Sequence, residues 1–161
     1  RLDLRPDTLI PELDALEERI YEAVNNGVYR CGFAITQEAY DEAVSALFGM
    51  LDELDERLAT RRYLMRSAIT EVDWRLFTTL IRFDPVYVGH FKTNVRRIAD
   101  YANLGPYLRD LYQQPDIAET VRVDEIKTHY YTTHPQLNPS RIIPAGPVLD
   151  WDQPHGRERL V

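Results

Sequence analysis

The chain has 161 residues, which suits a single domain with its own hydrophobic core. Its formal net charge of −7 argues against a nucleic-acid-binding protein, because such proteins normally carry a basic surface. No segment has the unbroken apolar length of a membrane span. The single cysteine, Cys31, excludes an internal disulfide and fits a reducing compartment, so we predict a cytoplasmic protein.

Apolar residues at helical spacing predict a first helix over 10–24. The run Asn25-Asn26-Gly27 predicts its end, because Asn and Gly tolerate the left-handed backbone that often ends a helix. Tyr29 is then expected in a turn. A second helix is predicted to begin at the capping residue Thr36, and its long apolar stripe through residue 58 indicates core packing.

The third predicted helix begins with Thr-Glu-Val-Asp at 70–73, where the side chains of Thr70 and Asp73 can form a capping box. Apolar residues on most of its faces predict a helix at the centre of a bundle. Asp84-Pro85 predicts its end, because proline disfavours helical geometry in the residue before it.

Two shorter helices are predicted over 104–112 and 121–131. From residue 134 onward, five prolines preclude a regular helix or a central strand. We therefore predict an all-α fold, with a helical bundle over 1–133 and an extended proline-rich C-terminal arm over 134–161 of the same domain.

Few residues form a pattern that indicates chemistry. Glu125 and His129 stand four apart on a predicted helix, but no two of the four histidines share a helix face and no second cysteine supports zinc, so we predict no metal site. Cys31 follows Arg30, which lowers a thiol pKa slightly, yet a lone thiol in a loop is more often inert. Tyr29 and Tyr130 offer an apolar ring with a polar tip, which suits an aromatic alcohol. By pattern alone, packing is the commoner interpretation of both tyrosines.

Seven short motifs follow one another in an order that resembles a known family. They are 25–29 (Asn-Asn-Gly-Val-Tyr), 37–44 (Gln-Glu-Ala-Tyr-Asp-Glu-Ala-Val), 75–80 (Arg-Leu-Phe-Thr-Thr-Leu), 82–87 (Arg-Phe-Asp-Pro-Val-Tyr), 90–92 (His-Phe-Lys), 129–131 (His-Tyr-Tyr) and 154–157 (Pro-His-Gly-Arg). Together they resemble the C-terminal helical domain of the glutathionyl-hydroquinone reductases, also called xi-class glutathione transferases. The resemblance covers nearly the whole chain. Arg66 departs from it, since a glycine is expected at that position.

The resemblance implies a function that this chain does not carry alone. It implies a thioredoxin-like N-terminal domain, absent from this sequence, whose cysteine reduces glutathionyl-hydroquinones to hydroquinones with glutathione or another small thiol. No catalytic residue is then expected within the chain, which alone should be inactive. By motif, Tyr29 and Tyr130 correspond to two tyrosines that line the family's hydroquinone pocket. A homodimer is also implied. The alternative hypothesis is a non-catalytic glutathione-transferase-like module for protein interaction.

Overall fold

The computed structural model describes residues 3–66 and 68–160. These residues contain α-helices and no β-strand, which confirms the predicted all-α class. The helices are α1 (Ile10–Ile20), α2 (Gly27–Phe33), α3 (Gln37–Leu58), α4 (Glu71–Arg82), α5 (Val88–His90), α6 (Leu104–Tyr112) and α7 (Val123–Thr133). Two π-helical segments, Tyr21–Asn25 and Phe83–Tyr87, lengthen α1 and α4. Short 3-10 turns complete the pattern at Asp7–Leu9, Ile98–Asp100, Ala118–Thr120 and Arg157–Arg159.

The α3 and α4 helices supply much of the hydrophobic core. Helix α3 begins where the sequence predicts, with the Thr36 hydroxyl accepting a hydrogen bond from the Ala39 amide at 3.2 Å. Its predicted stripe is buried, including Leu47, Leu51 and Leu54 at 0% exposure. Helix α4 buries residues on most of its faces, and it contacts both α1 and α6. The predicted central position of α4 is therefore confirmed.

A buried carboxylate joins the start of α4 to two other parts of the bundle. Oδ2 of Asp73 accepts hydrogen bonds from the amide and the hydroxyl of Thr70, at 2.8 and 3.0 Å, which confirms the predicted capping box. Oδ1 of the same side chain accepts hydrogen bonds from the Leu64 amide at 2.9 Å and the Tyr107 phenol at 2.8 Å. The sequence pattern predicted only the local half of this arrangement.

The first helical stretch does end at Asn25-Asn26-Gly27, but without the predicted left-handed turn, because a new helix, α2, begins at once at Gly27. Asn26 has φ −82° and ψ −28°, which is right-handed helical geometry, and Gly27 begins α2 without a positive φ. The side-chain amide of Asn25 donates hydrogen bonds to the Thr79 hydroxyl at 2.7 Å and to the carbonyl of Arg75 at 3.1 Å, which ties this boundary to α4. The backbone therefore passes from one helix to the next through Asn26, without a loop.

The predicted helix end at Asp84-Pro85 is wrong, because helical structure continues to His90. The chain continues through Pro85 as a π-helical turn, in which the Val88 amide donates to the Phe83 carbonyl five residues back. The wider turn accommodates the proline, which has no amide hydrogen and would clash in a regular helix. Asp84 points away from the helix and accepts hydrogen bonds from the amides of Ile98 and Ala99, at 2.7 and 3.0 Å.

The C-terminal part of the chain runs back over the bundle. No helix or strand is present over 141–150, and this stretch is held by Lys127, whose ammonium group donates to the carbonyls of Pro144 and Gly146 at 2.5 and 2.8 Å. Further along, Arg157 is 2% exposed and inserts beside the end of α3. The predicted arm boundaries, 134–161, include Val161, which lies outside the described residues, as do Arg1, Leu2 and Ser67 of the predicted helical part.

One residue between α3 and α4 has an unusual backbone conformation. Arg66, at the position where a glycine is expected, has φ 91°, a conformation that glycine adopts far more readily than arginine.

Among the helices of the described residues, none combines the length and apolar character required to cross a lipid bilayer.

Candidate functional site

Three tyrosine hydroxyl groups from separate elements meet beside a surface cavity. Tyr29 lies on α2, Tyr130 on α7 and Tyr87 at the end of the second π-helical segment. The hydroxyl oxygens of Tyr29 and Tyr130 are 2.7 Å apart, and those of Tyr87 and Tyr130 are 2.9 Å apart. The structure thus brings the two sequence-predicted site residues into direct contact and adds a third. We call these three residues the tyrosine cluster.

Two stretches of helix that the sequence did not predict, one after Asn26 and one through Pro85, explain how the tyrosine cluster forms. Because the chain stays helical after Asn26, Tyr29 lies on a helix and not in the predicted turn. The π-helical turn at Pro85 in turn directs Tyr87 towards α7, where its ring stands edge-on to that of Tyr130. Phe91 supports the cluster from behind, stacked on Tyr87 with ring centroids 5.3 Å apart and 5.2 Å from the ring of Tyr29.

The close approach of Phe91 depends on Gly32 of α2. A Cβ atom on Gly32 would lie 2.0 Å from Cδ1 of the Phe91 ring, far inside contact distance. Gly49 of α3 makes a matched contrast, because a Cβ atom there would meet nothing within 4 Å. Packing against Phe91 therefore requires a glycine at position 32, whereas nothing in the structure requires a glycine at position 49.

We expect Gly32→Ala to lower the free energy of unfolding by about 1–3 kcal/mol through overpacking against Phe91. Gly49→Ala should raise it by roughly 0.5–1 kcal/mol, since alanine is the better helix former. Urea unfolding monitored by circular dichroism measures both values. Equal effects of the two substitutions would contradict the proposed packing role of Gly32.

The cavity beside the tyrosine cluster has a volume of about 420 Å³. Its lining also includes Asn25, Thr78 and the side chain of Arg82. Tyr29 is the outermost member of the cluster at 37% exposure, whereas Tyr130 and Tyr87 are 8% and 2% exposed. A ligand entering the cavity would therefore meet the phenol of Tyr29 first, with the other two hydroxyls behind it.

The buried phenols stay protonated near neutral pH. Burial raises the pKa of Tyr130 to about 12, and its hydrogen bond to Tyr29 acts in the same direction. Burial raises the pKa of Tyr87 further still, because this ring is almost completely enclosed. The hydroxyl groups are therefore neutral, and they can act as hydrogen-bond donors to a ligand oxygen.

Two histidines lie next to the tyrosine cluster, which the sequence pattern did not indicate. Nε2 of His90 and Nδ1 of His134 are 2.9 Å apart, and their rings are stacked with centroids 5.2 Å apart. Burial lowers the pKa of His90 to about 4 and also lowers that of His134. Both rings are consequently neutral near neutral pH, and the pair adds no positive charge beside the phenols. In the described ranges no group of three or more His, Cys, Asp or Glu side chains is arranged to hold a metal ion.

Cys31 lies on α2 and not in the predicted loop, and its side chain is buried at 2% exposure. Burial raises the pKa of its thiol to about 11, outweighing the opposite effect of the neighbouring Arg30. A thiol in this state forms little thiolate, the form that acts as a nucleophile. This geometry agrees with the interpretation of Cys31 as an inert residue.

Tyr87 and Arg82 are the site residues that sequence reasoning missed. Both belong to the motif over 82–87 that supports the family resemblance, but the motif was interpreted as a helix ending at Pro85. Once the helix is continued through the proline, Tyr87 falls on the face that meets α7. The signal that could have indicated Tyr87 as a site residue was its place at the end of this motif. It was missed because a proline usually ends a helix, so the helix was not continued to Tyr87.

Comparison with known proteins identifies relatives of the whole chain. Residues 37–110 match the family described as glutathione S-transferase, C-terminal domain. The chain is 53% identical to glutathionyl-hydroquinone reductase YqjG of Escherichia coli, over 97% of the chain and 48% of that protein. It is 50% identical to glutathionyl-hydroquinone reductase PcpF of Sphingobium chlorophenolicum, over 91% of the chain and 47% of that protein.

Solved structures agree with these matches. The glutathione-bound structure of YqjG has a TM-score of 0.97 and 52% identity, covering 99% of this chain and 52% of that one. A xi-class glutathione transferase from Natrialba magadii also has a TM-score of 0.97, with 54% identity over 99% of this chain and 49% of that one. The chain thus spans about half the length of the relatives it matches. It belongs to the xi-class glutathione transferases, the family of the glutathionyl-hydroquinone reductases, and corresponds to their C-terminal helical domain.

Proposed function

We propose that this chain forms the substrate-binding half of a glutathionyl-hydroquinone reductase. In the whole protein, a thioredoxin-like domain would supply the cysteine nucleophile and most of the glutathione site. The observation that carries the proposal is the convergence of Tyr29 and Tyr130, with hydroxyls 2.7 Å apart, on a cavity of about 420 Å³. The names of YqjG and PcpF, both glutathionyl-hydroquinone reductases, support it.

The proposed reaction is a thiol exchange at the sulfur atom of an aryl thioether. The cysteine thiolate attacks the glutathione sulfur, the bond from sulfur to the ring carbon breaks, and that carbon takes up a proton to give the free hydroquinone. A second glutathione thiolate then attacks the enzyme–glutathione mixed disulfide, which releases oxidised glutathione and restores the cysteine. The conjugate's sulfur and the sulfur of the second glutathione are joined in the disulfide, and the two electrons that they give up pass to the ring carbon, so the reaction balances.

The residues of this chain would act on the hydroquinone. When the carbon–sulfur bond breaks, electron density develops on the ring and its oxygens. The phenol of Tyr29, at the cavity surface, can donate a hydrogen bond to a ring oxygen, and Tyr130 can support that donor through its own hydrogen bond. The rings of the tyrosine cluster also provide an apolar wall for the aromatic ligand.

We extend the proposal to the assembly of the whole protein. A hollow of about 560 Å³ adjoins the cavity and is bordered by Leu4, Tyr21 and Trp74, which offers apolar surface for the thioredoxin-like domain. We also propose that residues 1–133 and 134–161 form one domain, and that the protein is a cytoplasmic homodimer. The chain has a single cysteine and so no internal disulfide, which supports a cytoplasmic location.

A reconstitution experiment tests the proposed activity. This chain alone should release no hydroquinone from glutathionyl-hydroquinone in the presence of glutathione. Fused to the N-terminal half of E. coli YqjG, it should release hydroquinone and oxidised glutathione in equal amounts, as measured by liquid chromatography. A fusion that binds hydroquinone but does not reduce the conjugate would overturn the reductase proposal and favour an interaction module.

Tyr29→Phe and Tyr130→Phe, made in the same fusion, are each expected to lower kcat by about 100-fold, because each removes a hydrogen-bonding group from the developing charge. Stability should change little for Tyr29, which is partly exposed. Tyr101→Phe is the matched control, since it removes a hydroxyl that binds Asp52 at 3.1 Å, away from the cavity. Full turnover in both site variants would remove the proposed role of these tyrosines.

A further inference from the structure

Arg82 is the charged side chain of the cavity that holds the tyrosine cluster. It is the last residue of α4, and its Nη1 donates a hydrogen bond to the carbonyl of Thr78 at 2.7 Å. The remaining N–H groups of the guanidinium donate to no other residue within the described part of the chain. Since an arginine has five N–H donors, most of its hydrogen-bonding capacity is left available to a ligand in the cavity that Arg82 lines.

The charge of Arg82 is also uncompensated. Within residues 3–66 and 68–160, no Asp or Glu oxygen pairs with it, whereas Arg75 on the same helix pairs with Glu71 at 2.7 Å and also with Glu17. The other eight residues lining the cavity are four tyrosines, two asparagines and two threonines, all neutral. A chain with 26 acidic and 19 basic residues thus presents a cavity whose one formal charge is positive.

The field of Arg82 reaches the tyrosine cluster. Burial and the hydrogen bond to Tyr29 dominate the raised pKa of Tyr130, but the positive charge of Arg82 acts in the opposite direction and favours a negative charge at that phenol. The same field would favour an anionic group on a ligand placed against Tyr29 and Tyr130.

We propose that Arg82 determines ligand specificity by selecting aromatic alcohols whose ring carries an anionic substituent, such as a carboxylate. This inference rests on the proposed function, since it assumes that the cavity holds a hydroquinone. The ring hydroxyls would bind at the tyrosine cluster, and the guanidinium would pair with the anionic substituent. A planar guanidinium matches a carboxylate through two parallel N–H···O bonds, which makes arginine more selective than lysine at such a position.

The test compares two probes that differ only in the anionic group: hydroquinone and gentisate, its ring-carboxylated form. Isothermal titration calorimetry on this chain should show that gentisate binds about tenfold more tightly than hydroquinone. A tenfold gain in affinity is at the lower end of what a hydrogen bond to a charged group contributes. Arg82→Gln should abolish the preference. Arg82→Lys should retain part of it, which also shows that changes at this position leave the cavity intact.

Arg75→Gln is the matched control, because it removes the same charge from the same helix at a position where acidic partners already neutralise it. It should keep the preference for gentisate. Equal binding of the two probes by the wild-type chain, no binding of gentisate, or a preference that survives Arg82→Gln would each overturn the inference. The assay contains no thiol and measures no turnover, so an inactive fusion protein would disprove the reductase proposal without changing this result.

Discussion

Replacing Asp73 with alanine is expected to lower the free energy of unfolding by about 4 kcal/mol, since several buried donors would lose their acceptor at once. Asp73 is 0% exposed and accepts hydrogen bonds from Thr70, Leu64 and Tyr107. The loss therefore reaches beyond the start of α4. It also disconnects the loop before that helix and the tyrosine of α6.

Urea unfolding followed by circular dichroism measures this effect. Asp100→Ala is the matched control, because Asp100 is exposed and, within the described ranges, its carboxylate pairs only with Arg97, three residues before it. An exposed ion pair adds little to stability, so this variant should unfold close to the wild type. If Asp73→Ala behaves like Asp100→Ala, the buried carboxylate does not organise the bundle as we describe.

Arg157→Met is expected to lower the free energy of unfolding by about 3 kcal/mol, because the buried carbonyls that Arg157 serves would lose a charged donor. Its Nη2 donates to the carbonyls of Leu58, Arg61 and Arg62, at 3.0, 2.6 and 2.8 Å. Leu58 is the last residue of α3, where a positive charge also complements the helix dipole. Methionine fills similar space but offers no donor.

The same variant should release the C-terminal part of the chain from the bundle. Limited proteolysis should then cut the stretch over 141–150, which has no helix or strand, faster than in the wild type. Arg159→Met is the control, because Arg159 is exposed and, among the residues that the structure describes, donates only to the carbonyl of Gly156. Equal stability and equal cleavage rates for the two variants would show that Arg157 does not anchor the arm.

Local sequence signals predicted those helices whose ends depend on neighbouring residues alone. The Thr36 cap and the apolar stripe predicted α3 from Gln37 to Leu58, and the box over 70–73 predicted the start of α4. In each case the determining contacts lie within a few residues along the chain. The hydroxyl of Thr36, for example, binds an amide only three residues away.

At Asn25-Asn26-Gly27 and at Asp84-Pro85 the chain continues as helix because of features that local sequence signals do not reveal. Asn25 binds Thr79, which is 54 positions further along, and Asp84 binds the amides of Ile98 and Ala99. The helix-breaking tendencies of Asn and Gly are modest, and tertiary contacts of this kind can override them, whereas the proline, which costs about 3 kcal/mol inside a regular helix, is accommodated by the wider π-helical turn. Tyr29 consequently lies on a helix, and Tyr87 reaches the cavity.

The candidate site was accessible to sequence reasoning only in part. The motifs over 25–29 and 129–131 suggested Tyr29 and Tyr130 through resemblance, while pattern alone favoured packing for both. Tyr29 and Tyr130 are 101 positions apart in the chain, and neither approach indicated that their hydroxyls share a hydrogen bond or that Tyr87 and Arg82 lie beside them. Their role as substrate contacts stays a prediction until the variants are measured.

The sequence by itself determined the helical class, the core stripes, the capping box and the family, because these depend on residue types at short, regular spacings. Only the tertiary structure decided how the chain continues past Asn25 and Pro85, which tyrosines share hydrogen bonds, and that Arg82 lies beside the cavity without an acidic partner among the described residues. Those outcomes depend on contacts between elements far apart in the chain, and on the strong tendency of buried polar groups to find partners once the elements pack.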